Sequence, residues 1–371
     1  MKTLAVIGAS YLQRPLVEKA KAMGLRVICF AWADGAVCAD ISDKFYPISI
    51  VEKEEILRVC RIERIDGICT IASDVAAPTV AYVAQEMHLN GNAYQAAIRA
   101  NDKYLMRQAF DEANIKCPRF SRIAESEKAD FSKWRFPLIV KPCDRSGSLG
   151  VTLARDLTEL QNGIENALTL SFKQEAIVEE YIEGREISVE FISFKGTHYP
   201  LAITDKVTTG SPHFVELEHH EPADLTPLQY KSIYSITRKA LDSLGVSEGA
   251  SHTEYRINAK GDIYIIELGA RMGGDFIGSD LVRLSTGYDF LKGVIEVALG
   301  EFKEPELGNR SFSGIYFLSR ETERLLPYFD CLEGIPGIVR SELFNRDLKY
   351  VQCSAERSGY FIYQSDKKVK I

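Results

Sequence analysis

Residues 138–154 read LIVKPCDRSGSLGVTLA: an apolar run ending on Lys141, a tip with two serines and two glycines between Ser146 and Gly150, and a second short run from Val151. A Walker phosphate loop would need Gly-Lys-Ser or Gly-Lys-Thr feeding a helix, so that the first helical amides meet the phosphates. Here the tip leads into Val151-Thr152-Leu153-Ala154, which reads as strand. The stretch therefore predicts a hairpin whose tip carries Ser146, Gly147, Ser148, Leu149 and Gly150. Glycines let backbone amides approach an anion and serine hydroxyls add donors, so such a tip can fold over a triphosphate as a flap. Glycine is also the usual residue wherever a hairpin needs positive φ, and the tip alone leaves both readings open. Lys141 favours the first, because an ammonium emerging from a sheet interior is costly unless it meets an anion.

The 371 residues are 46% apolar and 26% charged, enough to bury a core and to form two or three domains. A net charge of -7 with both signs interspersed argues against nucleic acid as a partner, which would call for a basic face. Gly8, Gln13, Arg14 and Pro15 interrupt the first apolar run, which reads as a buried strand rather than a signal segment. No apolar stretch reaches the eighteen or so residues that span a bilayer. Eight cysteines lack Cys-x-x-Cys spacing, which predicts reduced, mostly buried thiols, including Cys331, and a cytoplasmic protein.

Along residues 1–100, TLAVI, a helix over 14–23, RVICFA, EKEEILRVCRIE, GICTIAS and AAPTVAYVAQEM follow the βαβ rhythm of a Rossmann-like parallel sheet. The first turn has Gly8 alone where a dinucleotide fingerprint places three glycines, which counts against a nicotinamide-dependent oxidoreductase. From Asn101 the texture changes: a helix capped by Asn101 or Asp102, then strand, strand, helix, strand, strand through EISVEFIS. Thr226-Pro227 opens a long helix to Leu244, and another runs from Asp289 to Leu299. The glycine-, proline- and aromatic-rich tail from Lys303 reads as a β-containing appendage.

SHTEYRINAKGDIYIIELGAR, residues 251–271, predicts a second hairpin. A two-residue turn at Lys260-Gly261 sets Glu254 directly opposite Glu267; a four-residue loop makes them diagonal neighbours, about 7–8 Å apart. Either even loop places His252, Glu254, Arg256, Ile263, Ile265 and Glu267 on one face, and Tyr255, Ile257, Tyr264, Ile266 and Leu268 on the other, toward the core. Facing carboxylates repel unless a cation lies between them, and hard oxygen ligands joined to a nucleotide phosphate are the usual way to hold Mg²⁺. A solvated face with Arg256 neutralising one acid is the alternative. Arg271 follows four residues later, ahead of Gly273-Gly274, where a guanidinium can neutralise a phosphoryl group in transit.

These pieces, in this order, resemble the ATP-grasp superfamily, specifically the carboxylate-amine ligases with a Rossmann-like preceding domain, a group that includes bacterial L-amino acid ligases and purine-pathway enzymes. The resemblance covers nearly the whole chain. It implies a mixed α/β and α+β protein: a Rossmann-like domain over 1–100, an ATP-grasp lid with the flap over 101–182, an ATP-grasp subdomain with metal and substrate sites over 183–302, and the appendage over 303–371. Lys103 and Lys141 resemble the two nucleotide-binding lysines, and Ser146, Gly147 and Ser148 the phosphate flap. Glu179, Glu180 and Ile182 match the segment lining the adenine, and Glu186 the acid on the ribose. Glu254 and Glu267 match the Mg²⁺ ligands, and Arg271 the arginine on the transferred phosphoryl group.

One departure is Gly269, where many members carry an asparagine as a further metal ligand. His213, His219 and His220 lie in the loop 206–225, where relatives place substrate-facing residues. The implied chemistry is ligation through an acyl phosphate, with ATP and Mg²⁺ (Mn²⁺ as a substitute), small carboxylate and amine substrates, and a homodimer as one allowed assembly. The alternatives are an enzyme acting on a purine intermediate or bicarbonate, with which Gln13 is compatible, and an ATP-binding protein without ligase activity.

Overall fold

The computed structural model describes residues 1–124, 130–308, 311–330 and 337–371; Cys331 lies outside them. At the N-terminus β1 (Thr3–Ile7), β2 (Arg26–Phe30), β3 (Lys44–Tyr46) and β4 (Gly67–Cys69) form a parallel sheet in the order β3-β2-β1-β4. All five residues of β1 are buried, which is why its sequence is a continuous apolar run rather than an alternating one. Helices α1 (Arg14–Ala22), α2 (Lys53–Glu63) and α3 (Ala77–Glu86) accompany the sheet. Next come α4 (Tyr94–Asn101) and α5 (Lys103–Glu112), hinged at Asp102. The helix expected here is α5, and of the two candidate caps Asp102 takes the role, accepting from the amides of Tyr104 and Leu105, both at 3.1 Å, while Asn101 ends α4, a helix not expected from the sequence.

The segment expected as a lid, called the lid below, contains a four-stranded sheet of β5 (Phe120–Ala124), β6 (Leu138–Pro142), β7 (Thr152–Ala154) and β8 (Glu175–Glu180), ordered β5-β8-β6-β7. Helix α6 (Leu157–Leu170), capped by Asp156, packs on it through Leu160 and Ala167. β6 and β7 are the hairpin expected around the glycine stretch, with Val140 opposite Thr152.

A larger sheet follows, of β9 (Arg185–Phe194), β10 (Thr197–Thr208), β11 (Glu216–Glu221), β12 (Gly249–Ile257), β13 (Ile263–Gly269), β14 (Phe312–Leu318), β15 (Ile338–Leu343) and β16 (Gly359–Ser365). Its order is β13-β12-β9-β10-β11-β14-β16-β15. The tail from Lys303 is β-containing and continues this sheet, β14 pairing with β11, β16 with β14 and β15 with β16. One face carries α7 (Pro227–Leu244), which opens with a Thr226–Gln229 capping box and closes on left-handed Gly245. Phe110, Phe191, Leu241, Tyr255 and Ile265 fill the core beneath it. Beyond α8 (Val282–Thr286), α9 (Phe290–Ala298) buries Phe290, Val294 and Ile295 in a core shared with Leu16 and Val17 of α1. At about 1.5–3 kcal/mol per fully buried large apolar side chain, this core fixes the N-terminal sheet to the larger one.

The β12–β13 hairpin departs from both loops considered above. Its connection is the odd stretch 258–262, in which Asn258 Oδ1 accepts from the amides of Lys260 and Asp262, both at 2.9 Å. The odd loop pairs Ile257 with Ile263 and Tyr255 with Ile265, and a bulge at Ile266 then restores Glu254 opposite Glu267. Ile263 and Ile265 consequently turn to the core with Tyr255 and Ile257, while Ile266 turns to the site. The expected faces were therefore wrong between 263 and 266 and right at Glu254 and Glu267. The carbonyl of Ile266, freed by the bulge, accepts from Arg107 Nη2 at 2.5 Å.

Candidate active site

Between the lid and the larger sheet lies a cavity of about 390 Å³, bordered also by Ala72 and Asp74 from the loop after β4. Every residue assigned above to ATP, metal or phosphoryl contact borders it: Lys103, Lys141, Ser146, Gly147, Ser148, Glu179, Glu180, Ile182, Glu186, Glu254, Glu267 and Arg271. They come from α5, both hairpins, the end of β8, the start of β9 with the connection between them, and the segment after β13, so the cavity exists only once the two sheets face each other.

The lysines sit on protein carboxylates. Lys141 Nζ lies 2.8 Å from Glu179 Oε2 and Lys103 Nζ 3.0 Å from Glu267 Oε1. Glu179 also holds Arg107, at 2.5 Å; burial pushes its carboxyl up, but the two cations hold it down at about 2. Its side chain is thus an internal counter-ion for Lys141. Its main chain is in the lid sheet opposite Phe120 and Ile139. At the flap, Gly147, Ser148 and Gly150 all have positive φ, and a Cβ on Gly147 would meet nothing within 4 Å. The root is anchored instead, with Arg145 Nε donating to the carbonyl of Leu170 and Lys103 N to that of Cys143.

Glu186, near the start of β9, receives Arg256 at 2.9 Å and Lys206 at 3.1 Å. Lys206 also reaches Glu254 at 2.5 Å and Glu216 at 3.6 Å. Burial alone would drive this ammonium neutral, yet the three carboxylates raise its pKa well above the usual lysine value. Glu254 is half-buried, and Lys206 with His252 holds it ionised well below the carboxylate range. His252 lies against Glu190, which overcomes its burial and raises the imidazole to about 9.

Facing each other across β12 and β13, Glu254 and Glu267 are two hard oxygen donors, which suits Mg²⁺, since that ion takes one or two carboxylates and completes its shell with phosphate and water. Among the described residues no group of three His, Cys, Asp or Glu gathers as a metal cage. Gly269 adds no donor, for a physical reason: a Cβ there would collide with Oδ1 of Asp74 and crowd the Arg271 guanidinium. Asp74 holds Arg271 with Nε–Oδ1 and Nη2–Oδ2 both at 2.7 Å. Burial opposes the pair, but it lowers the pKa of Asp74 and raises that of Arg271.

Of the three histidines, His213 and His219 border the cavity. His220 faces the other side of β11, between Tyr363 Oη at 2.9 Å and Glu218 at 3.1 Å, and has a packing role. A bulge between Glu216 and Glu218 brings Glu216 and His219 to the same side. Burial lowers His219 to about 3, so its ring is neutral. Gln13 is buried, donating to the carbonyl of Ile71 at 2.8 Å and accepting from Ser10, and does not border the cavity.

Sequence reasoning missed Asp74, Arg107, Glu190, Lys206, Glu216, Asp275 and Arg357. Arg107 alone had a local signal, one helical turn after Lys103. The others depend on which strands become neighbours.

Residues 134–280, which hold both hairpins, match the ATP-grasp domain family. The chain carries an ATP-grasp domain. Its similarity to the alanine–anticapsin ligase of Bacillus subtilis is 30% identity over 245 residues, 60% of this chain and 51% of that protein. The chain thus spans about half the length of the first curated relatives it matches. The carbamoyl phosphate synthase large chain of Rubrobacter xylanophilus is 25% identical over 76% of this chain and 28% of its own length. In fold, the chain is similar to the crystal structure of an L-amino acid ligase from Bacillus licheniformis, with TM-score 0.80, 23% identity, and coverage of 99% and 94% of the two chains. The likeness in fold therefore extends beyond residues 134–280 to nearly the whole chain. Among the described residues no helix is long and apolar enough to cross a membrane.

Proposed function

We propose that this chain is an ATP-dependent carboxylate–amine ligase that forms an acyl phosphate and releases ADP and phosphate. The observation that carries this reading is the convergence, around one cavity, of Lys103, Lys141, the carboxylate pair Glu254/Glu267 and Arg271 beneath a glycine flap. Lys103 and Lys141 would bind the phosphates, exchanging their present carboxylate partners for phosphate oxygens. Glu180 and Ile182, with the main chain at Glu179, would line the base, and Glu186 would take the ribose hydroxyls. Glu254 and Glu267 would hold Mg²⁺, with Mn²⁺ as a substitute; when bound, the ion neutralises phosphate charge and polarises the γ-phosphoryl group.

An oxygen of the substrate carboxylate attacks the γ-phosphorus and the bond to ADP breaks, with Arg271 and Lys141 stabilising the spreading charge. The amine then attacks the acyl carbon, phosphate leaves, and the amine gives up a proton. Closure of residues 146–150 excludes water while the acyl phosphate exists. The similarities to an alanine–anticapsin ligase and, in fold, to an L-amino acid ligase support an amino acid as one substrate. A purine substrate loses one argument, because Gln13 is engaged inside the first domain.

The test is a screen of amino acids and small carboxylates for stimulated release of ADP and phosphate. Release that needs both a carboxylate and an amine is the expected result. ATP binding without release for any pair would favour a nucleotide-binding protein.

A further inference from the structure

The glycine pair 273–274 follows Arg271 closely, and its first member lies against protein side chains. The amide of Gly273 donates to Glu190 Oε2 at 3.0 Å. A Cβ at Gly273 would come within 2.7 Å of Glu190 Oε1 and 2.8 Å of His252 Nδ1. Its φ is not positive, so glycine stands here for close approach and not for its backbone angles. A Cβ on Gly274 would meet Ala72 Cβ at 3.4 Å and no other atom within 4 Å among the described residues.

Beneath Gly273 runs a row of side chains set by strand register. β9 and β12 place Glu190 opposite His252 and Ser188 opposite Glu254, and β13 places Glu267 opposite Glu254. Glu190 is fully buried and does not border the cavity, so it acts on a bound ligand only through its neighbours. Its Oε1 accepts from His252 Nδ1 and its Oε2 from Gly273. His252 reaches onward with Nε2 to Glu254 Oε1 at 3.3 Å. Both ring nitrogens thus face a carboxylate, and a ring that donates from both is an imidazolium. Lys206 donates to the same Oε1 at 2.5 Å. Among the described residues both donors to Glu254 therefore hold one oxygen, and Oε2 is left for a cation shared with Glu267.

We infer that Glu190 is a positioning residue for the metal. Held under Gly273, it fixes His252 as a donor in two directions, and His252 fixes Glu254 with Oε2 presented to Mg²⁺. Glu190 also cancels the charge of the ring, so the hydrogen bond to Glu254 is kept without repelling the dication. The same contacts reach the phosphoryl side, because Gly273 lies two residues after Arg271. The inference rests on the reading of Glu254 as a metal ligand.

The experiment uses the full chain with a non-hydrolysable ATP analogue and Mn²⁺ as the probe, free Mn²⁺ being read by electron paramagnetic resonance. Affinity for the analogue without metal and the thermal midpoint are measured alongside. Glu190→Gln keeps the volume, but its single oxygen serves only one of the two donors. Gly273→Ala drives a Cβ into the same pair, and Gly274→Ala is the control. Glu190→Gln and Gly273→Ala should each weaken Mn²⁺ binding about tenfold, as expected when an outer partner of a metal ligand is lost. Metal-free affinity for the analogue should be unchanged. The double variant should lose no more than either single one, because both break one contact. Gly274→Ala should bind Mn²⁺ as the wild type does.

Unchanged Mn²⁺ affinity in folded Glu190→Gln, additive losses, or an equal loss of metal-free nucleotide affinity overturns the inference. If Glu190→Gln does not fold, Gly273→Ala decides alone: weaker Mn²⁺ binding upholds the inference and unchanged binding overturns it. A wild-type chain that holds no Mn²⁺ overturns both the metal assignment of Glu254 and this inference. Failure of every substrate pair to release ADP counts against the ligase reading alone, and the Mn²⁺ comparison still decides the role of Glu190.

Discussion

The guanidinium of Arg271 and the carboxylate of Asp74 meet in parallel, 197 positions apart in sequence, and join the loop after β4 to the segment after β13 at the edge of the cavity. Both side chains are largely buried. Removing one partner leaves the other charge uncompensated, so Asp74→Ala should destabilise the fold by about 3 kcal/mol in urea titrations. A smaller loss than ~1 kcal/mol would mean that solvent already screens the pair.

Gly269 and Asp74 compete for one volume. Gly269→Asn alone should lower the thermal midpoint and ATP turnover, because its side chain displaces the Asp74 carboxylate. In combination with Asp74→Ala the space is free, and a double-mutant cycle should give a favourable coupling of about 1–3 kcal/mol. Strict additivity would show that the collision is relieved elsewhere.

Lys141→Ala and Glu267→Ala should each reduce ATP turnover at least ~100-fold, the scale seen when one preorganised charge contact is lost. The fold should survive in both, since Arg107 still neutralises Glu179, and Glu267 is partly exposed. Wild-type-like ADP release in either variant would remove that residue from the site.

Glu221 provides a pH test. It is fully buried between the hydroxyls of Thr204 and Ser285, and burial raises its carboxyl from 4.5 to about 8. Between these values the folded state keeps a proton that the unfolded state releases, so stability from this group is full below pH 4.5 and is lost as pH rises through about 8. Glu221→Gln cannot ionise. The wild-type midpoint should fall relative to the variant across that window, and parallel profiles would exclude the raised carboxyl.

Gly147 stands in the left-handed region with open space around it. Gly147→Val should strain the flap by about 1–2 kcal/mol and slow turnover while barely moving the global midpoint, because the tip is not part of a core. A large fall in the midpoint would place the tip within the cooperative fold.

The parts of this molecule that were legible in sequence are those with a local cause. The start of α7 at Thr226-Pro227, its end at Leu244 and the apolar runs of β1 and β2 are decided by residues a few positions apart. Lys141, Glu254 and Glu267 were legible because hairpins bring near neighbours in sequence together. Lys206 was not, since its three carboxylates lie on other strands or at the far end of a bulge. Asp74, Asp275 and Arg357 were hidden for the same reason, their partners being 197 and 82 positions distant. The expected faces of β13 failed at Ile263 and Ile265 because periodicity cannot announce a bulge.

That bulge has a consequence for engineering. Because the register is reset at Ile266 and pinned there by Arg107, the alignment of Glu254 with Glu267 is insulated from whatever the hairpin does at its far end. The exposed tip around Lys260 is therefore a graft point: a peptide epitope or a fluorophore attachment loop inserted between Ala259 and Gly261 should leave the two carboxylates where they are.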